Sequence, residues 1–254
     1  MNELIVVLVS ISLGSFGNNI ISYYTGVSKL DLLRSHCACG EKLLRAYELI
    51  PILSYITLKG KCSCGKIISL RYLLVELSAG LLGIFCYYSF PFPLFLIYFL
   101  IFFILLIIGI IDLVSFTIPN MLISALLLLT LMKNFFVASF SISLLNLTVT
   151  AFVILMLMSL NLLFSRIYNR EAIGAGDIKL LFTLALTFDF LIVIIGVWVS
   201  SLLAMAGYFL LKAFTLKFKN EEKIPFGFFI SICFIAIAFW EDKISAFYYQ
   251  LMGM

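Results

Sequence analysis

Runs of about twenty consecutive apolar residues, parted by short polar breaks, recur along this chain, and a helix needs that length to cross the hydrocarbon core of a bilayer. The runs are continuously apolar, whereas strands of a membrane barrel alternate polar and apolar residues over about ten positions. Helices in lipid are therefore expected. Of the 254 residues 64% are hydrophobic and 12% charged, which excludes an ordinary water-soluble globular domain. The lipid bilayer is the expected surrounding, and nucleic acid is not expected as a partner.

The runs fall at roughly 4–24, 72–90, 94–112, 119–138, 142–164, 178–188, 190–211 and 225–241, which predicts an all-α polytopic bundle of about eight membrane segments. The stretch 178–188 supplies only about 16 Å of helix, too little for a full crossing, so Asp177 is expected to lie sunk below the headgroups. The first run follows Met1, Asn2 and Glu3 directly and has Lys29 and Arg34 beyond it. A cleaved signal would carry its basic residues first, so a retained span is expected. Three regions result: a first membrane segment at 1–24, a cysteine-containing loop at 25–71 and a membrane-embedded bundle at 72–254.

Lys29, Arg34, Lys42, Arg45, Lys59, Lys61, Lys66 and Arg71 all occur at 25–71, which makes that loop cytoplasmic by the positive-inside rule. Alternating from there, all of the 17 basic residues except Lys133 and Lys243 come to the same side. Asp112 and Asp177 come with them.

The loop is too short to bury a sizeable core unaided. It holds Cys37-Ala-Cys39-Gly and Cys62-Ser-Cys64-Gly. In a reducing compartment paired thiols point to metal more than to a disulfide, and four thiolates close a tetrahedral structural zinc site. Zinc pairs usually have two intervening residues and these have one, so redox-active or free thiols are the alternative. His36, the sole histidine, is read as an exposed loop residue, and Cys86 and Cys233 as small hydrophobes within apolar runs.

Asp112 ends one long apolar run and Asp177 opens another after Gly174-Ala-Gly176. Acids bordering membrane runs are costly and are functional candidates by default. Separately, Asp177 reads as a helix N-cap and Asp112 as a solvated acid in a turn. Together they make a carboxylate pair that can share one proton, activate water as general base and protonate the leaving amine as general acid. The macrodipoles favour placing that proton on Asp112, at a helix C-terminus, with Asp177 ionised at an N-terminus. Gly174 and Gly176 leave room for close approach, or simply make the turn. Lys179 is expected to face away from Asp177.

These residues resemble the type IV prepilin leader peptidases. Gly14-Ser-Phe-Gly-Asn18 resembles the family's opening segment, while Glu48-Leu-Ile-Pro-Ile-Leu-Ser-Tyr55 and Arg71-Tyr-Leu-Leu-Val-Glu76 resemble the surroundings of its cysteine loop. Asp112 with Ile118-Pro119-Asn120 looks like the first catalytic aspartate, and Gly174-Ala-Gly-Asp177-Ile-Lys179 like the second. The resemblance implies a membrane-embedded aspartic endopeptidase of the bacterial cytoplasmic membrane. Its substrates are type IV pilin or pseudopilin precursors, cleaved on the cytoplasmic side, with N-methylation of the new terminus from S-adenosylmethionine in many members. It implies a zinc loop too, although the family's cysteine pairs have two intervening residues. Glu76 matches a family position but is read as a helix-capping or loop-pairing acid. Asp189, Glu241 and Asp242 are read as solvated boundary residues.

Two other classes compete. A transporter subunit would use Asp112 and Asp177 as a proton or cation path, and a non-enzymatic envelope assembly protein would hold a metal module beside the membrane. Cleavage of a pilin-like substrate by the purified protein separates all three.

Overall fold

A computed structural model of the chain describes residues 2–26, 67–137, 173–214 and 224–241, together with scattered positions between 52 and 65, between 148 and 167 and between 243 and 250. Among the described residues run seven helices: α1 (Glu3–Tyr24), α2 (Leu70–Ser89), α3 (Leu94–Ser115), α4 (Asn120–Val137), α5 (Ala175–Thr187), α6 (Phe190–Phe214) and α7 (Phe226–Ala238). Five of them, α1 to α4 and the Phe190–Leu210 part of α6, are long and apolar enough to cross a membrane. The all-α polytopic membrane fold expected from the apolar runs is the fold the chain adopts.

Several boundaries differ from the sequence expectation. Helix α3 continues past Asp112 to Ser115, because a single polar residue does not interrupt the backbone ladder and the Phe116 N–H still donates to the Asp112 carbonyl at 2.8 Å. Helix α7 has 13 residues, fewer than the run at 225–241 implied, because the Trp240 N–H turns back to the Ile237 carbonyl at 2.8 Å. Helix α5 also has 13 residues. Either length gives about 20 Å of helix against a hydrocarbon core of about 30 Å. The run at 142–164 is described only at scattered positions, each helical. Cys37, Cys39, Cys62 and Cys64, expected to hold metal, lie outside the described residues, as does His36.

The chain divides into two compact units, Met1–Ile107 and Ile108–Met254. In the first, α1 packs along α2 through small residues, the usual device where lipid supplies no hydrophobic drive for association. A Cβ at Gly14 would lie 2.9 Å from the Cα of Glu76 and 3.0 Å from the Cβ of Ala79. Polar contacts fix the register of the pair. Asn18 Nδ2 donates to the Tyr72 carbonyl at 3.0 Å, Ser22 Oγ meets the Tyr72 hydroxyl at 2.9 Å, and Arg71 Nη2 donates to Ser22 Oγ at 2.8 Å.

In the second unit α4 and α5 lie side by side and start at the same end. Lys179 Nζ donates to Asn120 Oδ1 at 2.9 Å near their beginnings, and Asn134 Nδ2 donates to the Leu186 carbonyl at 2.9 Å near their ends. Helix α6 follows α5 after Phe188 and Asp189, and α7 packs against both. The Phe188 and Phe234 rings stand 5.7 Å apart, and Cys233 Sγ donates to the Gly196 carbonyl at 3.5 Å. Leu126, Leu180, Leu184 and Phe234 are fully buried in this core. The packing brings the start of α7 to the Asp112 end of α3.

Candidate active site

Asp112 occupies the last turn of α3 and is 5% exposed. Beyond it the chain turns sharply: Phe116 takes a left-handed φ of 55°, and Ile118 and Pro119 lead into α4. A bulky residue in that region costs on the order of 1–3 kcal/mol, strain that surrounding contacts must hold in place. Pro119 prevents α3 from continuing. Its carbonyl then accepts from the Leu122 and Ile123 N–H groups at 3.1 and 3.3 Å, opening α4.

The Asp112 carboxylate accepts a hydrogen bond from the Phe228 N–H at 3.2 Å, across 116 residues of sequence, and the Gly227 N–H also donates to it. These are the free donors that every helix start presents, and Pro225 before α7 places them there. Asp112 thus sits at the end of one helix and the beginning of another. The positive end of the α7 dipole offsets the unfavourable end of α3.

Asp177 is half-buried in the first turn of α5, whose N-cap is Gly174. It is not the N-cap that the sequence alone allowed. It stands three residues later and accepts from the Gly174 N–H, half of a capping box. A Cβ at Gly174 would sit 3.0 Å from Asp177 Oδ2. Ile118 joins the two acidic turns: a Cβ at Gly176 would fall 3.1 Å from Ile118 Cβ, and one at Gly227 would fall 2.8 Å from Ile118 Cδ1 and 3.0 Å from Asp112 Oδ2.

The Asp177 carboxyl is pushed up to about 7, first by burial, then by the neighbouring negative charge of Asp112, with the Gly174 N–H opposing both. The expected lowering of Asp177 by the N-terminal dipole is not found, because burial and a facing acid outweigh it. The arrangement can hold one proton between two carboxylates near neutral pH, as general acid–base chemistry requires.

Lys179 turns to Asn120 and not to Asp177, as its helical spacing implied. Glu76 belongs to the first unit. It is 7% exposed and accepts from the Ile52 N–H at 2.7 Å and from the Ser15 side chain, so it ties a loop backbone group rather than a loop base. Asp189 is exposed and Glu241 half-buried, and both lie within electrostatic reach of Lys133 rather than facing solvent alone. Asp242 lies outside the described residues. The N–H donors of Gly227 and Phe228 were not picked out from the sequence. Their signal was Pro225 opening an apolar helix on the side of the membrane that carries the acids. Among the described residues no group of three or more His, Cys, Asp and Glu is placed to hold a metal.

Fold and site define a polytopic membrane protein with one buried and one half-buried carboxylate at one end of its second unit. A family model for the bacterial peptidase A24 N-terminal domain matches residues 8–90, and one for the type IV leader peptidase family matches residues 99–240. The chain belongs to the type IV leader peptidase family and is a peptidase by that membership. It is 34% identical over 197 residues to a prepilin leader peptidase/N-methyltransferase of Dichelobacter nodosus, covering 76% of this chain and 66% of the relative. Proteins of the same name from Stutzerimonas stutzeri and Pseudomonas putida are 34% and 31% identical over 223 and 230 residues. These matches cover 87% and 88% of this chain and 76% and 78% of the relatives. No solved structure matches the chain.

Proposed function

We propose that the chain is an aspartic endopeptidase that removes the leader from type IV pilin-like precursors, with Asp112 and Asp177 as its two catalytic carboxylates. The observation that carries this reading is the convergence of the Asp112 and Asp177 turns on Ile118, with backbone N–H groups of Phe228 and Gly174 donating to the two carboxylates. In the resting pair Asp177 holds the proton and Asp112 is ionised. Asp112 takes a proton from water, the resulting hydroxide adds to the scissile carbonyl, and the Asp177 proton goes to the carbonyl oxygen. Collapse of that adduct returns a proton to the pair, while the proton on Asp112 passes to the leaving amine. No covalent intermediate is needed. Mass spectrometry of a pilin-like precursor incubated with the purified protein tests the reading: an intact precursor under all detergent conditions would end it.

The proton balance sets the pH dependence. Above about pH 7 the pair becomes doubly ionised, so the cleavage rate should fall there by about tenfold per pH unit. A rate that stays level to about pH 9 would contradict the shared proton.

The membrane is the bacterial cytoplasmic membrane, with the carboxylate pair on its cytoplasmic side, as the distribution of basic residues supports. Reporter fusions at Lys61 and Asn220 should therefore both report the cytoplasm, and opposite sides would overturn the orientation.

Zinc is the structural ion of the loop, held by Cys37, Cys39, Cys62 and Cys64 and supplying folding energy to a segment without a core of its own. The described residues around the second pair suit such a knuckle. Lys61 pairs antiparallel with Ile67, Ile68 N donates to the Gly60 carbonyl at 2.8 Å, and Gly60 and Gly65 take left-handed φ values of 69° and 82°. Elemental analysis of the purified protein should find about one zinc, and Cys64→Ser should lower it; less than about a tenth of an equivalent in the unaltered protein rules the ion out. N-methylation of the new terminus, with S-adenosylmethionine as donor, is the second activity. No described residue is assigned to the donor, and the same mass spectrum reports the added methyl group.

A further inference from the structure

We infer that Lys133, acting with Thr130 and Asn134, is a positioning residue for cleavage: it caps α5 inside the membrane and thereby fixes the depth at which Asp177 stands. This rests on Asp177 being one of the catalytic pair.

The argument begins with the backbone of α5. The last carbonyls of any helix lack partners within it, and in lipid no water replaces them. Helix α5 has 13 residues and so ends after about 20 Å, short of a full crossing. Its terminal carbonyls find partners nonetheless. The Phe188 N–H donates to the Leu184 carbonyl at 3.0 Å, Asn134 Nδ2 to the Leu186 carbonyl at 2.9 Å, and Lys133 Nζ to the Thr187 carbonyl at 2.6 Å. The Thr130 and Thr187 hydroxyls meet at 2.8 Å, both threonines almost wholly buried, and Thr187 Oγ1 donates on to the Thr183 carbonyl at 2.8 Å.

Three side chains of one turn of α4 thus close the end of α5. Lys133 does more than donate. Its ammonium lies at the negative end of the α5 dipole, with Glu241 and Asp189 within electrostatic reach. A lysine and two further polar groups within an apolar helix are costly to insert and are functional candidates by default. Their function here is a stop. These contacts set how far α5 slides along α4.

Asp177 stands ten residues before Thr187, about 15 Å along the same helix. An α-helix is stiff along its axis, so a shift at the capped end reaches the carboxylate undiminished. The carboxylates must keep their spacing to share a proton, and a misplacement near 1 Å costs about a hundredfold in rate. At the other end the exposed Lys179–Asn120 contact ties α5 to α4 by a side-chain hydrogen bond, and exposed polar pairs hold weakly.

The test uses the full-length protein in detergent with a pilin-like precursor. Lys133→Met and Asn134→Leu should each lower kcat per folded molecule by about tenfold or more while KM stays within about twofold. The alkaline fall of the rate should move from about 7 towards the ordinary carboxylate range, because both burial of Asp177 and its nearness to Asp112 are relaxed. Lys133→Arg, which keeps donor and charge, should restore most of the rate. A role in folding alone predicts less folded protein with unchanged kcat per molecule and an unchanged pH profile, and that result overturns the inference.

A second measurement does not depend on turnover. Ala175, exposed at the start of α5, replaced by Cys should change its labelling rate with a water-soluble maleimide by about threefold or more when Lys133→Met or Asn134→Leu is added, read on the peptide containing position 175. Unchanged labelling in both variants also overturns the inference. If the unaltered protein does not cleave, the peptidase reading falls, while labelling still decides whether the cap sets the depth of α5.

Discussion

Asp112→Asn and Asp177→Asn should each lower kcat/KM for precursor cleavage by at least about a thousandfold, and the double variant should be no worse than either single one. The amide keeps the shape of each side chain and much of its bonding. At position 112 it retains an oxygen for the Phe228 N–H, and at position 177 one for the Gly174 N–H. What is lost is the proton that the pair exchanges with water and amine. Because both groups serve one step, removing the second after the first costs nothing further. Neither substitution should impair folding, since each removes one of two facing acids from a buried site. The assay is cleavage by purified protein, with circular dichroism as the control for folding. The result separates the peptidase from its rivals: Asn at position 177 keeps an oxygen for the Gly174 N–H and loses only a helix-dipole interaction of about 0.3–1 kcal/mol, so a purely capping Asp177 would leave cleavage near normal. Full cleavage by Asp177→Asn would remove the carboxylate pair from the mechanism.

The sequence made the membrane helices legible because lipid imposes a length and a composition that few other environments demand. Glu3–Tyr24, Leu70–Ser89, Leu94–Ser115, Asn120–Val137 and Phe190–Leu210 all follow from that one constraint. Ends were less legible. The apolar run stops at Asp112, yet the backbone ladder continues to Ser115, since a polar side chain disturbs the hydropathy pattern without disturbing the hydrogen bonds. The same difference between side chain and backbone explains α7, which stops at Ala238 although the apolar pattern continues.

Both acids could be singled out because charge beside an apolar run is conspicuous. Their environment could not. The dipole argument treated each acid with its own helix alone, whereas Asp112 takes its N–H partners from α7 and Asp177 takes its raised proton affinity first from burial and then from Asp112. Contacts across more than a hundred residues leave no local mark. Ile118 belongs to a motif in the sequence, and its place between Gly176 and Gly227 gives that motif a physical reason: a branched side chain there meets two positions where a Cβ would crowd it.

Replacing Gly227 by Ala should lower kcat by about tenfold to a hundredfold while leaving the amount of folded protein unchanged. Gly227 is not among the residues with left-handed φ, so alanine meets no backbone strain, and in a helix it is the more favourable residue. The obstacle is space alone. The new Cβ would lie 3.0 Å from Asp112 Oδ2, 3.2 Å from Asp112 Cγ and 2.8 Å from Ile118 Cδ1, so the carboxylate and the Ile118 tip must give way. Side chains yield by a few tenths of an ångström at little energetic cost, which is why stability should hold. Catalysis is less tolerant, because the atom displaced is the one that takes the proton from water. Gly196→Ala is the contrasting case: its Cβ would lie 2.6 Å from the buried Phe234 ring, away from the carboxylates, so stability should fall while kcat per folded molecule survives. Thermal unfolding and turnover measured on both variants distinguish the two outcomes. Wild-type turnover by Gly227→Ala would mean that Asp112 works from a position other than the one in which the start of α7 holds it.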